Sequence, residues 1–387
     1  MATRRFMGEA LSTGSNSLNF LRLVLALTVL ISHAIGLSGH QASINQTAPG
    51  TIAVYGFFGI SGYLIAGSAA RNHAGRFLWQ RFLRIFPAFW VCLLMTAFVF
   101  GVVGWLSHPP LPHCGLSCYF HAPKNNPYDY VYRDFLLRFN QSSIAGTPAV
   151  GYLPLIWNGS IWTLFYEFLC YLLLMVLALA GFLRHRALLL ATTVGVWVAI
   201  TVMTLTPSLD SQFSAYRNAD AMNLLNFTAV FLVGAVIFVY RELIPDSGWL
   251  ALVCAGMFLA SLYLPTGGRA PALVFVPSNL LAPLVAYPLL WLGIHLPFQR
   301  VGARNDYSYG VYIYGFPASQ LLALWGAVRW GLVPYTAVAV ALTAPMAVAS
   351  WWVVEKHALA LKSFGMKQAP ELVAPPAMEQ LLTPAEE

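Results

Sequence analysis

Residues 18–38 read Leu18-Asn19-Phe20-Leu21-Arg22-Leu23-Val24-Leu25-Ala26-Leu27-Thr28-Val29-Leu30-Ile31-Ser32-His33-Ala34-Ile35-Gly36-Leu37-Ser38, an apolar run carrying one guanidinium and one imidazole. About 20 residues at a rise of 1.5 Å each cross a hydrocarbon core of roughly 30 Å, so this run is long enough to span a membrane. Working outward, similar runs recur at 51–70, 86–106, 161–181, 188–207, 223–240, 248–265, 275–294, 307–326 and 332–354. Pro277, Pro283 and Pro288 fall inside the eighth. Neighbouring helices can rescue the backbone groups that such prolines free. Composition agrees: 58% of the 387 residues are hydrophobic and 9% charged, against about 25% charged in a soluble protein. The pattern predicts an all-α, polytopic membrane protein of about ten transmembrane helices. It excludes a soluble enzyme, a disordered chain and a disulfide scaffold.

The net charge of +7 follows the topology. With the N-terminus inside, the inner segments hold 14 Lys and Arg, the outer segments six, and Arg22 lies within the first helix. That bias predicts both termini cytoplasmic. The first helix has a charged start and no small-residue cleavage site after it, which reads as an uncleaved anchor. No basic patch is interleaved with exposed aromatics, so nucleic acid is not an expected partner. The chain divides into a cytoplasmic segment (1–17), a transmembrane domain (18–365) and a Pro-rich, acidic tail (366–387) expected to be disordered. The longest outer loop is 107–160, with a short helix expected near Tyr130–Phe139. No internal repeat supports an inverted-repeat transporter.

An ionisable residue within a span is expensive and marks function by default. Arg22 and His33 are eleven apart, which returns to within about 20° of one helix face, roughly 16 Å along the axis. Arg22 could instead snorkel to headgroups, and His33 could bond a backbone carbonyl. In Trp157-Asn158-Gly159-Ser160-Ile161-Trp162-Thr163-Leu164-Phe165-Tyr166-Glu167, the carboxylate falls about two turns into a descending helix, at a depth similar to His33. A carboxylate beside an imidazole orients its tautomer and suits it to act as a general base. Arg71, Arg76, Arg81 and Arg84 with His73 sit between the second and third runs, with Arg81 and Arg84 sharing a helix face. Arg forks suit phosphates, although positive-inside bias also collects arginines here.

In this setting the chain resembles the acyltransferase 3 family, integral-membrane enzymes that decorate bacterial cell-surface sugars, over about residues 15–365. Four places carry the likeness. They are Leu18-Asn19-Phe20-Leu21-Arg22 with His33; Phe57-Phe58-Gly59-Ile60-Ser61-Gly62-Tyr63-Leu64-Ile65 followed by Arg81-x-x-Arg84-Ile85-x-Pro87; Ser160-Ile161-Trp162-Thr163-Leu164-x-x-Glu167; and Asp306-Tyr307-Ser308-Tyr309-Gly310-Val311-Tyr312-Ile313-Tyr314, with a closing Val354-Glu355-Lys356. The chain departs from the pattern at Asn19, where many members carry an acid. It departs again at Gly315-Phe316-Pro317, where a His is common, and at His357, where Pro is frequent.

The resemblance implies a bacterial cytoplasmic-membrane O-acyltransferase that moves an acyl group, first of all acetyl, from cytoplasmic acyl-coenzyme A to a hydroxyl of an envelope glycan or glycolipid. The donor's phosphates would meet Arg81, Arg84 and Arg22. His33 would act as general base or as a covalent acyl relay, with Glu167 steadying the imidazolium. Ser61 and Trp162 are candidates at the substrate, and Trp157 and Trp162 could stack on sugar faces. Tyr309, Tyr312 and Tyr314 read as packing residues rather than catalysts. Two rival functions stay open: a transporter or lipid flippase using Arg22, His33 and Glu167 as a relay, and a scaffold. The acyl group, the accepting hydroxyl and the oligomeric state are not legible. Cys114 and Cys118, in the outer loop, suit a local disulfide. His108, His113 and His121 beside them meet no standard zinc spacing, so no metal is expected.

Overall fold

The computed structural model describes residues 5–12, 16–40, 43–44, 47–111, 113–205, 215–264 and 280–363. The tail at 366–387 and the start of the eighth run, Pro277 included, lie outside the described residues. Among those described, the architecture is helical, with isolated β-bridges such as Phe6 to Pro245 and no strand. In chain order the helices are α1 (Met7–Ser12), α2 (Leu18–Leu37), α3 (Pro49–Arg71), α4 (Ala74–Met95), α5 (Gly101–Ser107), α6 (Leu116–Phe120), α7 (Pro127–Asp134), α8 (Thr163–Leu179), α9 (Arg186–Leu205), α10 (Ala215–Val239), α11 (Gly248–Ser261), α12 (Ala286–His295), α13 (Ser308–Leu324), α14 (Leu332–Ser350) and α15 (Lys356–Ala360).

Among the described residues, five helical stretches are long and apolar enough to cross a membrane: Leu18–Leu37, Pro49–Arg71, Ala74–Ser107, Asp220–Val239 and Leu332–Ala360. Four other runs fall on shorter helices, 14 to 17 residues long, at Thr163–Leu179, Gly248–Ser261, Ala282–His295 and Ser308–Leu324, and the fifth falls on α9, whose apolar part is Arg186–Val202. The third stretch is longer than its apolar run suggests. Only Asn72 and His73 separate α3 from α4, and Arg76, Arg81 and Arg84 ride on helix rather than loop. Arg, Gln and Leu are good helix formers, and Phe77, Leu83 and Phe86 are buried along this part of the helix. Thr96–Phe100 then forms a π turn that joins α4 to α5.

Helix α3 lies at the centre. Pro at its first position suits the helix entry, where a backbone N–H has no partner in any case. Gly59 and Gly62 let it approach α10 at backbone distance. A Cβ on Gly62 would land on the Phe231 carbonyl, and one on Gly234 on the Gly59 carbonyl. Small residues at such crossings are how helices associate where lipid supplies no hydrophobic drive. Helix α13 is buried along almost its whole length, between α2 and α14.

We call the end holding Arg81 and Arg84 the basic end and the opposite one the loop end. At the loop end, residues 107–160 fold over the bundle. Asn126 caps α7 by accepting from the Asp129 N–H at 2.8 Å. Cys114 and Cys118 are joined as a disulfide. Trp157 is fully buried against Gly104, its indole donating to Thr147 Oγ1 at 3.0 Å. Its face is therefore closed to a sugar, a correction to the sequence reading. Tyr119, Tyr130 and Trp157 are too large and apolar to leave in water, and they make this loop a packed cap. At the basic end, Met7 and Gly8 bond the carbonyls of Ile244 and Arg241, and the Trp79 indole donates to the Leu361 carbonyl at 3.0 Å.

Candidate active site

The site begins with one shared oxygen. Asp306 precedes α13 and holds its entry, with Oδ1 accepting from the Ser308 N–H at 3.1 Å and from Ser308 Oγ at 2.5 Å. Its Oδ2 accepts from Arg22 Nη1 at 3.0 Å and from Arg84 Nη2 at 2.6 Å. Arg84 also lies 3.5 Å from Glu355, a buried carboxylate at the end of the π turn Trp351–Glu355. The first span, the third, the entry to α13 and the end of the last span thus converge on one ion network. Burial alone would raise the Asp306 carboxyl, but Arg22 and Arg84 outweigh it and hold the group well below the usual carboxylate range.

Asn19 explains a departure from the family pattern. Its amide donates to the Gly302 carbonyl at 3.0 Å, pinning the loop that delivers Asp306. Gly302 has φ of +74°, and a Cβ there would press on Asn19. An ionised acid at position 19 has no proton to offer that carbonyl, so Asn fits here.

Two cavities meet at this network. One, of about 260 Å³, opens at the basic end and takes walls from Ser61, Arg81, Arg304 and Lys362. The other, of about 40 Å³, lies deeper and is lined by Phe57, Thr163, Glu167, Tyr309 and Tyr312. Arg22, Arg84 and Tyr171 line both and form the neck between them. Glu167 sits beyond that neck, accepting from Tyr171 Oη and from Ser61 Oγ at 3.4 Å. Tyr312 bonds Thr163, and Tyr309 donates to the Ile85 carbonyl at 2.8 Å, so both tyrosines wall the deeper cavity.

The arginines predicted together are therefore found together: Arg22, Arg81 and Arg84 face one cavity, with Ser61 and Glu167 on its inward side. His33 stands apart. It is half-buried, its ring edge-on to Phe316 with centroids 4.9 Å apart, and no hydrogen bond or ion pair with Glu167 occurs among the described residues. Phe316 lies eight residues beyond Ser308 on α13, about 12 Å nearer the loop end.

The reason lies in the segment before α8. Pro317 lacks an N–H, which leaves the Ile313 carbonyl without its partner in α13. Asn158 Nδ2 and Cys92 Sγ donate to that carbonyl at 2.9 and 3.3 Å. To reach it, residues 157–160 dip into the bundle, α8 starts below the surface, and Glu167 lands deeper than a count from the surface implies. Trp162 packs with Tyr166 and Phe227 and lines neither cavity.

The carboxylates Asp306 and Glu355 were read from the sequence only as parts of motifs. Their signal was scarcity: Asp306 is the single acid between Arg300 and Tyr307, and Glu355 closes an apolar span. Among the described residues no three His, Cys, Asp or Glu side chains group as metal ligands.

Comparisons with known proteins point the same way. The acyltransferase 3 family, described as an acyltransferase domain, matches residues 15–355. An O-acetyl transferase of Shigella phage Sf6 is 28% identical over 352 residues, covering 90% of this chain and 97% of that protein. No solved structure matches.

Proposed function

We propose, from the premise that this chain belongs to the acyltransferase 3 family, that it is a multi-pass O-acyltransferase of the bacterial cytoplasmic membrane. It takes an acyl group, first of all acetyl, from cytoplasmic acyl-coenzyme A and delivers it to a hydroxyl of an envelope glycan or glycolipid. The relative named O-acetyl transferase supports the group transferred. In this reading all ten apolar runs span, both termini are cytoplasmic and the basic end faces the cytoplasm.

One observation carries the reading: a cation-walled cavity at the basic end narrows between Arg22, Arg84 and Tyr171 into an apolar chamber holding Glu167. Such a shape suits a ligand with an anionic head outside and a thin neutral arm inside. The head stays among guanidiniums, and the arm carries the thioester toward the loop end, where the buried chamber keeps water from it. The acceptor oxygen forms its bond to the acyl carbon, the carbon–sulfur bond breaks, and the hydroxyl proton finishes on the thiol sulfur.

His33, on the face shared with Arg22, is the group suited to take that proton first, or to carry the acyl group between donor and acceptor. Glu167 serves the donor side, held by Tyr171 and Ser61. The test uses purified protein with radiolabelled acetyl-coenzyme A, comparing wild type with His33→Ala. Label passing to a glycolipid extract only with His33 intact supports transfer, and label retained on the protein selects the relay. Absence of donor binding and turnover in well-folded protein, with several donors tried, overturns the proposal.

A further inference from the structure

The cations of the outer cavity are not equivalent. Five of them, Arg22, Arg81, Arg84, Arg304 and Lys362, share it with one carboxylate, Asp306. That carboxylate is spent on Arg22 and Arg84, and Arg84 has Glu355 as well. Arg81, Arg304 and Lys362 make no ion pair among the described residues, and Arg81 Nε is buried without a hydrogen-bond partner. They sit at graded depth, with Arg304 exposed at the mouth and Arg81 and Lys362 half-buried behind it. Burial, and then the nearby Arg81 and Arg84 guanidiniums, push the Lys362 amine below its ordinary range. Unpaired cations at close quarters, partly removed from water, call for an anion.

We infer that Arg304 and Lys362, with Arg81, form a diphosphate clamp that makes the enzyme select a nucleotide-bearing thioester, and that Arg22 and Arg84 are locked supports behind it. This rests on the donor assignment above and adds to it two residues that no motif singled out. It also gives a task to the chain after the last span. Lys362 reaches the cavity because α15 and the 3-10 turn Leu361–Ser363 fold back under α4, where the Trp79 indole holds the Leu361 carbonyl at 3.0 Å. The short segment beyond the membrane is thus a wall of the donor site. A phosphorylated lipid headgroup offers similar chemistry, so the test separates the two sources.

Steady-state kinetics in detergent compare acetyl-coenzyme A, its 3′-dephospho form and acetyl-pantetheine, which has no phosphate. Lys362→Ala and Arg304→Ala are each expected to raise KM for acetyl-coenzyme A about tenfold, as for loss of one charge-assisted contact, with kcat retained. Neither should move KM for acetyl-pantetheine, and Lys362→Arg should restore the wild-type value. An equal shift with all three thioesters, or none with any, overturns the clamp while leaving the donor assignment standing. Competition by phosphatidylglycerol added as mixed micelles that is lost in Lys362→Ala assigns these cations to lipid and also overturns it. A wild type that turns over no coenzyme A thioester overturns the donor assignment and the clamp together.

Discussion

Replacing Asp306 with Asn removes one charge and leaves the shape of the site nearly unchanged. In the native protein one oxygen accepts from two guanidiniums, at 3.0 and 2.6 Å, with the carboxylate side chain only 13% exposed. An Asn oxygen can still accept from one of them, but Arg22 and Arg84 then face each other with Glu355, 3.5 Å from Arg84, as the remaining counter-charge. Breaking a buried pair by removing one partner costs about 3–5 kcal/mol. For a chain of this size that corresponds to a melting temperature lower by on the order of 5–10 °C.

The pH dependence has a definite sign. Because the folded carboxyl titrates well below its unfolded value, its stabilisation is present above about pH 4, the unfolded range, and is lost as pH falls further toward the folded value. The assay is thermal unfolding of purified protein in detergent between pH 3 and 8, for wild type, Asp306→Asn, Arg22→Gln and the double variant. The variants should be non-additive, because they remove one shared interaction. A variant melting within about 1 °C of wild type at pH 7, or strict additivity, would refute the shared-oxygen account.

Three further outcomes are expected. Asn158→Ala should cost about 1–3 kcal/mol by leaving the Ile313 carbonyl beside Pro317 with only the weak Cys92 thiol donor, read as a lower melting temperature at every pH. Burial raises the Asp134 carboxyl to about 7, so its neutral form is the stable one in the fold. Stability from this group is then full below the unfolded range near pH 4 and is lost as pH rises toward 7, and Asp134→Asn should flatten that part of the profile while keeping the oxygen that accepts the Asn140 and Gln141 N–H groups. Glu167→Gln should fold as wild type yet lose about a hundredfold or more in kcat; a loss confined to KM would make Glu167 a binding group only.

Much of the fold could be read from apolar run length, since a segment in lipid must satisfy its own backbone groups and a helix does so within one run. The run beginning at Leu18 and the helix beginning there coincide. The third stretch was misjudged at its start because hydropathy tracks membrane contact, whereas Arg76, Arg81 and Arg84 extend a helix beyond that contact. Arg81 and Arg84 were legible as a pair because spacing on one helix face is a local property. The His33–Glu167 pairing was inferred from depth, and depth depended on a proline in α13 and an asparagine some 150 residues earlier. Long-range compensation of that kind has no local signature. The burial of Trp157 failed for a related reason, since a loop rich in Pro and His gave no sign that its large aromatics close over a core.

The ion network also sets a timetable for the chain's birth. Arg22 and Asp306 are separated by 284 residues, which at about 5–20 residues per second is a delay of roughly 15–60 s between the emergence of a charge and of its counter-charge. Until then Arg22 must reach back to the headgroups at the start of its helix. Glu355 comes later still, so the ion network around Arg84 can close only once the last helix has been made.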